Sequence, residues 1–437
     1  MSVAVALFTR DLRVRDNPAL TAAHRSADEV VPLFVIDTAL VPDRCPPNRA
    51  RFLSAALAEL DEELRAIGGR LVIRRGAVVD EVARVVRETG AGSVHLAEDV
   101  SGYSRARVKA LRDKLIEHDC EVRTHAASIT AVDPESLRPS TGRDHFAVFT
   151  PYFRRWTEVH HRTPLGEPRA LTVPRLTSEP LPGPGDLAVG ESSPQLAVGG
   201  EATARKLVRD WLSGPIGDYD ELNDDLAADA TSHLSPYLHF GCLSPAELVH
   251  RLDLGSAGGE AFARQLAWRD FHHQLLAARP AAARDDYRPR DIRWRDDPAG
   301  LDAWREGRTG YPVVDAAMRQ LRAEGWVPGR ARLIAASFLT KSLRVHWRIG
   351  AAHYLHWLVD ADLANNQLNW QWVAGTGTDT RPNRVLNPLR QALRYDPDGT
   401  YTRRWIPELA HLPGPRIHTP WRESTDYPPP LIEVAGM

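Results

Sequence analysis

The chain opens on VAVALFTRDLR, residues 3–13. Its first seven residues are mostly small or branched and apolar, too few to span a bilayer. The charges that follow at Arg10, Asp11 and Arg13 also do not fit a signal peptide. The run therefore reads as a buried strand. Four more runs, at 30–36, 71–74, 93–96 and 122–124, have the same character, and the intervening stretches 48–67 and 105–118 place apolar residues at helical spacing. This alternation predicts right-handed βαβ units and an α/β N-terminal domain built on a doubly wound parallel sheet over residues 1–130. Ligands of such sheets sit at the carboxyl ends of the strands. No Gly-rich fingerprint follows the first strand, which disfavours a dinucleotide-dependent dehydrogenase.

At 437 residues the chain exceeds what one core usually supports. Composition shifts to Pro, Gly and Ser from about 163 to 200, as in PGPG at 182–185. The expected division is therefore 1–130, an irregular connector at 131–200, and an all-α domain over 201–437. Tryptophan is distributed unevenly: of twelve, Trp156 alone precedes residue 210. Taken singly, each indole reads as core packing.

Net charge is only −2 and argues for no particular partner. Residues 330–404, however, hold eleven Lys or Arg against five Asp or Glu, a surplus of six. Such a basic segment either engages phosphates or is a solvated helical face. Cys45, Cys120 and Cys242 lie far apart, without zinc or disulfide spacing. The expectations are a reducing, cytoplasmic setting, no metal and no membrane span.

Four stretches carry more specific information: TSHLSPYL at 231–238, WRDF at 268–271, GYPVVDAAMR at 310–319, and 360–372 ending in NWQW. In this order they resemble the helical FAD-binding domain of photolyases and cryptochromes. RDLR at 10–13 and DNPAL at 16–20 resemble that family's opening, and its cyclobutane-dimer photolyases of class I are the nearest type. Ser235 before Pro236 reads as a helix start with a capping hydroxyl. The resemblance implies that Thr231, Ser232, His233, Leu234 and Ser235 hold the FAD diphosphate. Tyr219 is a further implied cofactor contact. Arg269, Arg332, Asp360 and Asp362 match the polar shell of the flavin ring, for which structural ion pairs are the alternative. Asn366 matches the residue facing flavin N5, and as an amide it does not readily donate a full proton.

By the same resemblance, Trp268 and Trp372 wall a pocket for a flipped-out pyrimidine dimer; photolyases are a known example of base flipping. Trp370 and Trp372 are two apart on an expected helix, roughly 200° around its axis, so they face different ways. Trp370, Trp347 and Trp294 match a tryptophan chain that carries electrons to the flavin, with plain core packing as the alternative. Arg330 and Arg384 match contacts to the DNA backbone, which carry no sequence information. The implied reaction is light-dependent repair: excited reduced FAD gives an electron to the dimer, the ring opens and the electron returns. No nucleophile or hydrolytic base is needed.

Several positions depart from the family pattern. Gln265 stands where dimer-repairing relatives have Glu, and an amide lacks the carboxyl's proton and charge. Gly329 and Leu333 replace a frequent Asn and Met, and also occupy positions where (6-4) photolyases carry histidine. Tyr103 and Ser104 stand where folate-binding relatives have Asn and Glu, whereas Arg49 and Asp99 match the deazaflavin pattern. The expected antenna is 8-hydroxydeazaflavin ahead of methenyltetrahydrofolate, with an empty site as the other possibility. Expected partners are damaged DNA and no membrane, with the protein a monomer. The rival functional reading is a cryptochrome-like blue-light photoreceptor. A third is a nucleotide-binding α/β protein without photochemistry.

Overall fold

A computed structural model describes residues 1–40, 45–423 and 426–433. Five strands, β1 (Val3–Leu7), β2 (Glu29–Asp37), β3 (Val72–Gly76), β4 (Ser93–Ala97) and β5 (Glu121–His125), form one sheet in the order β3-β2-β1-β4-β5. Every pairing is parallel. All five expected strand runs are present. β1 and β4 are buried at every residue, the pattern of a sheet covered by helices on both faces. The edge strand β5 instead exposes Glu121 and Arg123, charges that discourage further strand pairing.

The motif after β1 builds structure. Arg13, 1 % exposed, donates to the carbonyls of Asp16 (2.8 Å), Gly241 (2.9 Å) and Ser128 (2.9 Å). Asp16 accepts from the Leu165 amide at 2.7 Å and from Arg162 and Ser244. Asn17 caps the helix Pro18–Ser26 by accepting from the Leu20 amide. Gly241, at φ +69°, allows the close approach, since a Cβ there would collide with the Arg10 carbonyl. Residues of 10–20 thus tie distant segments onto the sheet.

Two compact units are distinguished by their internal contacts. One comprises 1–192, 197–216 and 232–280; the other comprises 193–196, 217–231 and 281–437. The first contains the sheet and the 22-residue helix Ala257–Ala278. The second is helical, its apolar core including Trp304, Tyr311, Phe338, Trp347 and Trp370. In GYPVVDAAMR, Asp315 accepts from the Thr309 amide and hydroxyl (both 2.7 Å), the Gly310 amide (3.1 Å) and the Tyr427 hydroxyl (2.5 Å). Full burial lifts its carboxyl to about 6. This motif is therefore the knot that pins the C-terminal segment to the helix Pro312–Glu324.

Candidate functional site

In the helical unit, the assigned residues gather on the helix Leu363–Ala374 and its neighbours. Asp362 caps this helix, accepting from the Asn365 amide at 2.9 Å. Positions 362, 366 and 370 follow at four-residue spacing and share a face. Asn366 donates from Nδ2 to the Ala351 carbonyl at 3.1 Å. Trp370 is 2 % exposed, its ring 5.0 Å from Tyr354 and 6.1 Å from Trp304. Trp372 points elsewhere and is only partly buried. The expected split between these two indoles is therefore present.

Arg332 grips Asp360 through both terminal nitrogens, at 3.1 and 2.8 Å, and its Nε donates to the Val327 carbonyl at 2.7 Å. Such a bidentate pair fixes a guanidinium plane, and Asp360 compensates its charge. Tyr219 is buried in a single turn, and desolvation raises its phenol. Thr231 Oγ1 is buried without a hydrogen-bond partner. An orphaned hydroxyl suits a bound oxyanion, so this residue fits the diphosphate of FAD.

Of the expected electron carriers, Trp347 is fully buried and donates from Nε1 to Asp286 Oδ1 at 2.7 Å. Trp294 is partly buried, its ring 4.9 Å from His346, which is 5.9 Å from Trp347. No sequence signal singles out Asp286, His346, Tyr354 or Trp304 for this role. Asp286 and His346 sit in no motif, and Trp304 was one indole among many.

The two assigned DNA-contacting arginines differ. Arg330 is partly buried, paired with Asp224 and 4.5 Å over the Tyr395 ring. Arg384 is exposed, its guanidinium 5.5 Å from the Trp372 ring. Its loop is anchored by Lys341, which sits in the π-helical turn Phe338–Ser342 and donates to the Ala374 and Pro382 carbonyls at 2.7 Å each. Residues 381–384 line a concavity of about 380 Å³. Gly329 is exposed, and a side chain there would meet open space.

In the sheet-containing unit, Gln265, Trp268 and Arg269 lie on the helix Ala257–Ala278. Gln265 is exposed. Trp268 is partly buried and stacks face to face on Phe149, centroids 3.7 Å apart at an interplanar angle of 4°. Arg269 donates to the Ile129 and Leu238 carbonyls. Asp270 accepts from the amides of Ala131 and Val132 and from Trp156 Nε1, each at 3.0 Å. Within WRDF, Trp268 and Arg269 are the residues that keep some exposure.

In the segment Ser232–Ser235 the helix begins one residue earlier than its capping pattern predicts. The helix is Ser235–Phe240, so Ser235 already lies inside it, and Leu234, which has no side-chain oxygen, occupies the cap position. His233 adopts φ +51°, turning the backbone sharply just before it. Ser232 Oγ accepts from the Leu234 amide at 3.4 Å. The cap function expected of Ser235 thus falls to local turn geometry.

Strand order reverses between β1 and β4, the topological switch point at which parallel sheets bind ligands. There Arg10 reaches Asp99 at 3.3 Å, and Ser104 Oγ donates to the same carboxylate at 3.2 Å. The Tyr103 hydroxyl donates to Asp37 at the end of β2. Arg49 lies nearby, its pKa lowered by burial above all and further by the positive charge of Arg10. Arg49 and Asp99, expected together at the antenna position, are both at this end of the sheet. Arg10 joins them through its ion pair with Asp99.

A family model described as "DNA photolyase" matches residues 4–170, and one described as "FAD binding domain of DNA photolyase" matches 262–436. The chain is 56 % identical, over its full length and 97 % of the relative's, to the deoxyribodipyrimidine photo-lyase of Streptomyces griseus. The chain belongs to the photolyase and cryptochrome family. Among solved structures, a class III photolyase from Agrobacterium tumefaciens matches with a TM-score of 0.93 at 33 % identity, covering 99 % of this chain and 95 % of that one. A Synechocystis cryptochrome matches with a TM-score of 0.91 at 27 % identity, covering 99 % and 97 %. This photolyase-family chain is an enzyme of the lyase class with an FAD-binding domain, and the family acts on damaged DNA. No helix among its described residues is long and apolar enough to cross a membrane. Nor, among those residues, do three or more His, Cys, Asp or Glu gather as a metal site would require.

Proposed function

We propose that this photolyase-family lyase repairs cyclobutane pyrimidine dimers in DNA by light-driven electron transfer from reduced FAD to a flipped-out lesion. One observation carries the reading: a single helix presents Asp362, Asn366 and Trp370 on one face and Trp372, beneath Arg384, on another. Residues assigned to the flavin and residues assigned to the lesion therefore share one rigid element.

When bound, FAD supplies the one-electron photochemistry. The protein supplies binding and orientation. The Thr231 hydroxyl and the Ser232–Ser235 turn serve the diphosphate, with Tyr219 as a further contact. Arg332, held by Asp360, and Arg269 would supply fixed cations for the anionic reduced ring, and Asp362 would offer it a hydrogen-bond acceptor. Asn366 would present an amide to N5, and because an amide does not readily yield a full proton, it would favour persistence of the reduced ring. Trp268 and Trp372 give the extruded bases flat apolar surfaces, and the Gln265 amide offers a pyrimidine carbonyl a hydrogen bond. Arg384 and Arg330 serve phosphates, Arg330 after release from Asp224. Trp294, Trp347 and Trp370 relay electrons inward.

At the switch point, Arg49, Asp99 and Arg10 form a charged, partly buried cluster that suits 8-hydroxydeazaflavin, an anionic chromophore. Tyr103 and Ser104 remove the pair that folate binders place there. A monomer in the cytoplasm fits the free thiols of Cys45, Cys120 and Cys242.

The test is repair of dimer-containing oligonucleotides by FAD-loaded, pre-reduced protein under blue light, read as loss of the dimer. Full flavin loading with no repair would instead favour a cryptochrome-like photoreceptor. The exposed Gln265, which has no carboxyl to offer the lesion, is the observation on that side.

A further inference from the structure

We propose that Asp286 is the proton-holding partner of Trp347, the middle indole of the electron relay; the proposal rests on the relay reading above. Trp347 is fully buried, and its Nε1–H donates to Asp286 Oδ1 at 2.7 Å, the length of a charge-assisted bond. A neutral indole needs only a carbonyl or a water to satisfy that donor. A carboxylate is a stronger partner than the ground state requires.

The carboxylate is also held in place. Gln371, fully buried and next to Trp370, donates from Nε2 to the Ala282 carbonyl at 2.7 Å and accepts the Tyr287 amide at 2.8 Å. Gln367 Nε2 donates to the Ala283 carbonyl at 2.9 Å. The helix that carries Trp370 thus fixes both ends of the short segment that presents Asp286. Arg348 lies 5.7 Å from the Trp347 ring but is tied to Asp285 at 3.0 Å, and burial lowers the pKa of His346, keeping it neutral.

With FAD bound, photoexcitation would draw one electron through Trp370, which would in turn take one from Trp347. The Trp347 radical cation has an acidic N–H, whose proton moves 2.7 Å or less to Asp286 Oδ1 and leaves a neutral indolyl radical. An electron from Trp294 then reduces Trp347 while the proton returns to Nε1. A thiol-class reductant in solution refills Trp294. Holding the proton close makes Trp347 easier to oxidise and slows back-transfer to the flavin.

The test uses FAD-loaded protein and transient absorption, which separates cationic from neutral indolyl radicals by their visible bands. In a Trp294→Phe background the hole stops at Trp347. The expected signal there is the neutral radical, formed more slowly in heavy water. Adding Asp286→Asn, which keeps an acceptor oxygen of the same shape, should leave the radical cation and shorten its life about tenfold. Asp286→Glu should restore the neutral radical. In the dark, the Trp347 indole proton resonance should shift upfield in Asp286→Asn. Identical radical spectra and lifetimes with and without Asp286→Asn, in protein that still binds FAD, would overturn the proposal. Trp347→Phe separates the two levels: photoreduction at the normal rate in that variant sinks the relay reading and this proposal with it. Slow photoreduction there, with Asp286→Asn unchanged, sinks this proposal alone.

Discussion

The guanidinium of Arg384 lies 5.5 Å from the centre of the Trp372 ring, at the C-terminal end of the helix Leu363–Ala374. A cation over an indole face rigidifies both groups and leaves the arginine's nitrogens available to phosphate. Arg384→Ala is expected to weaken binding to dimer-containing DNA about equally in every flanking sequence. The slope of log affinity against log salt should fall by roughly one. Fluorescence anisotropy at several salt concentrations checks both; an unchanged salt slope would remove Arg384 from the phosphate contacts.

Trp372 itself offers a flat surface to a flipped base. Trp372→Ala is expected to cost about 1 to 3 kcal/mol of affinity for damaged DNA, the range for one stacked base. Undamaged DNA should lose much less. Equal losses on both substrates would assign Trp372 to general packing.

Trp370 is packed in the core and bears on a different observable. Trp370→Phe should slow photoreduction of the flavin while leaving repair by pre-reduced protein nearly intact. Gly350 supplies a second handle, because a Cβ there would collide with the edge of the Trp370 ring. Gly350→Ala should therefore displace that ring, cost about 1 to 3 kcal/mol of stability through overpacking, and slow photoreduction as well. Photoreduction at the normal rate in both variants would take Trp370 out of the relay.

Glu201 makes the stability of the sheet-containing unit pH-dependent. Its carboxylate accepts from the Val14 amide at 2.7 Å, yet burial outweighs this and lifts its pKa from 4.5 to about 7. A carboxyl that binds its proton more tightly when folded stabilises the fold fully below pH 4.5 and loses that contribution as pH rises towards 7. Glu201→Gln should flatten the slope of stability against pH across this window, read from thermal melts in buffers between pH 4 and 8. A slope identical to that of the parent would place the titration elsewhere.

The amino-acid order alone makes the sheet and much of the helical organisation legible. The strand runs 3–9, 30–36, 71–74, 93–96 and 122–124 are short and apolar, and the pattern of burying both faces leaves few alternatives to a parallel sheet. It also separated the two neighbouring tryptophans, since helical rotation alone sends Trp370 and Trp372 different ways. The motifs located the family, but they did not say which of their residues build structure. Arg13, Asp16, Asp270 and Asp315 lie in the most recognisable stretches, and in the fold each holds backbone amides, carbonyls or partner side chains in place.

Which residues partner the site emerges from long-range packing. Asp286 meets Trp347 across 61 positions, and Arg10 meets Asp99 across 89. Partnerships at such separations depend on how helices and strand ends are brought side by side, and no local periodicity records that. The same limit explains Ser235: its sequence is that of a cap, yet the left-handed turn at His233 starts the helix one residue earlier. Local pattern fixes which elements form and which side chains they offer. Packing fixes which of those side chains meet, because hydrogen bonds and ring contacts act over only a few ångströms.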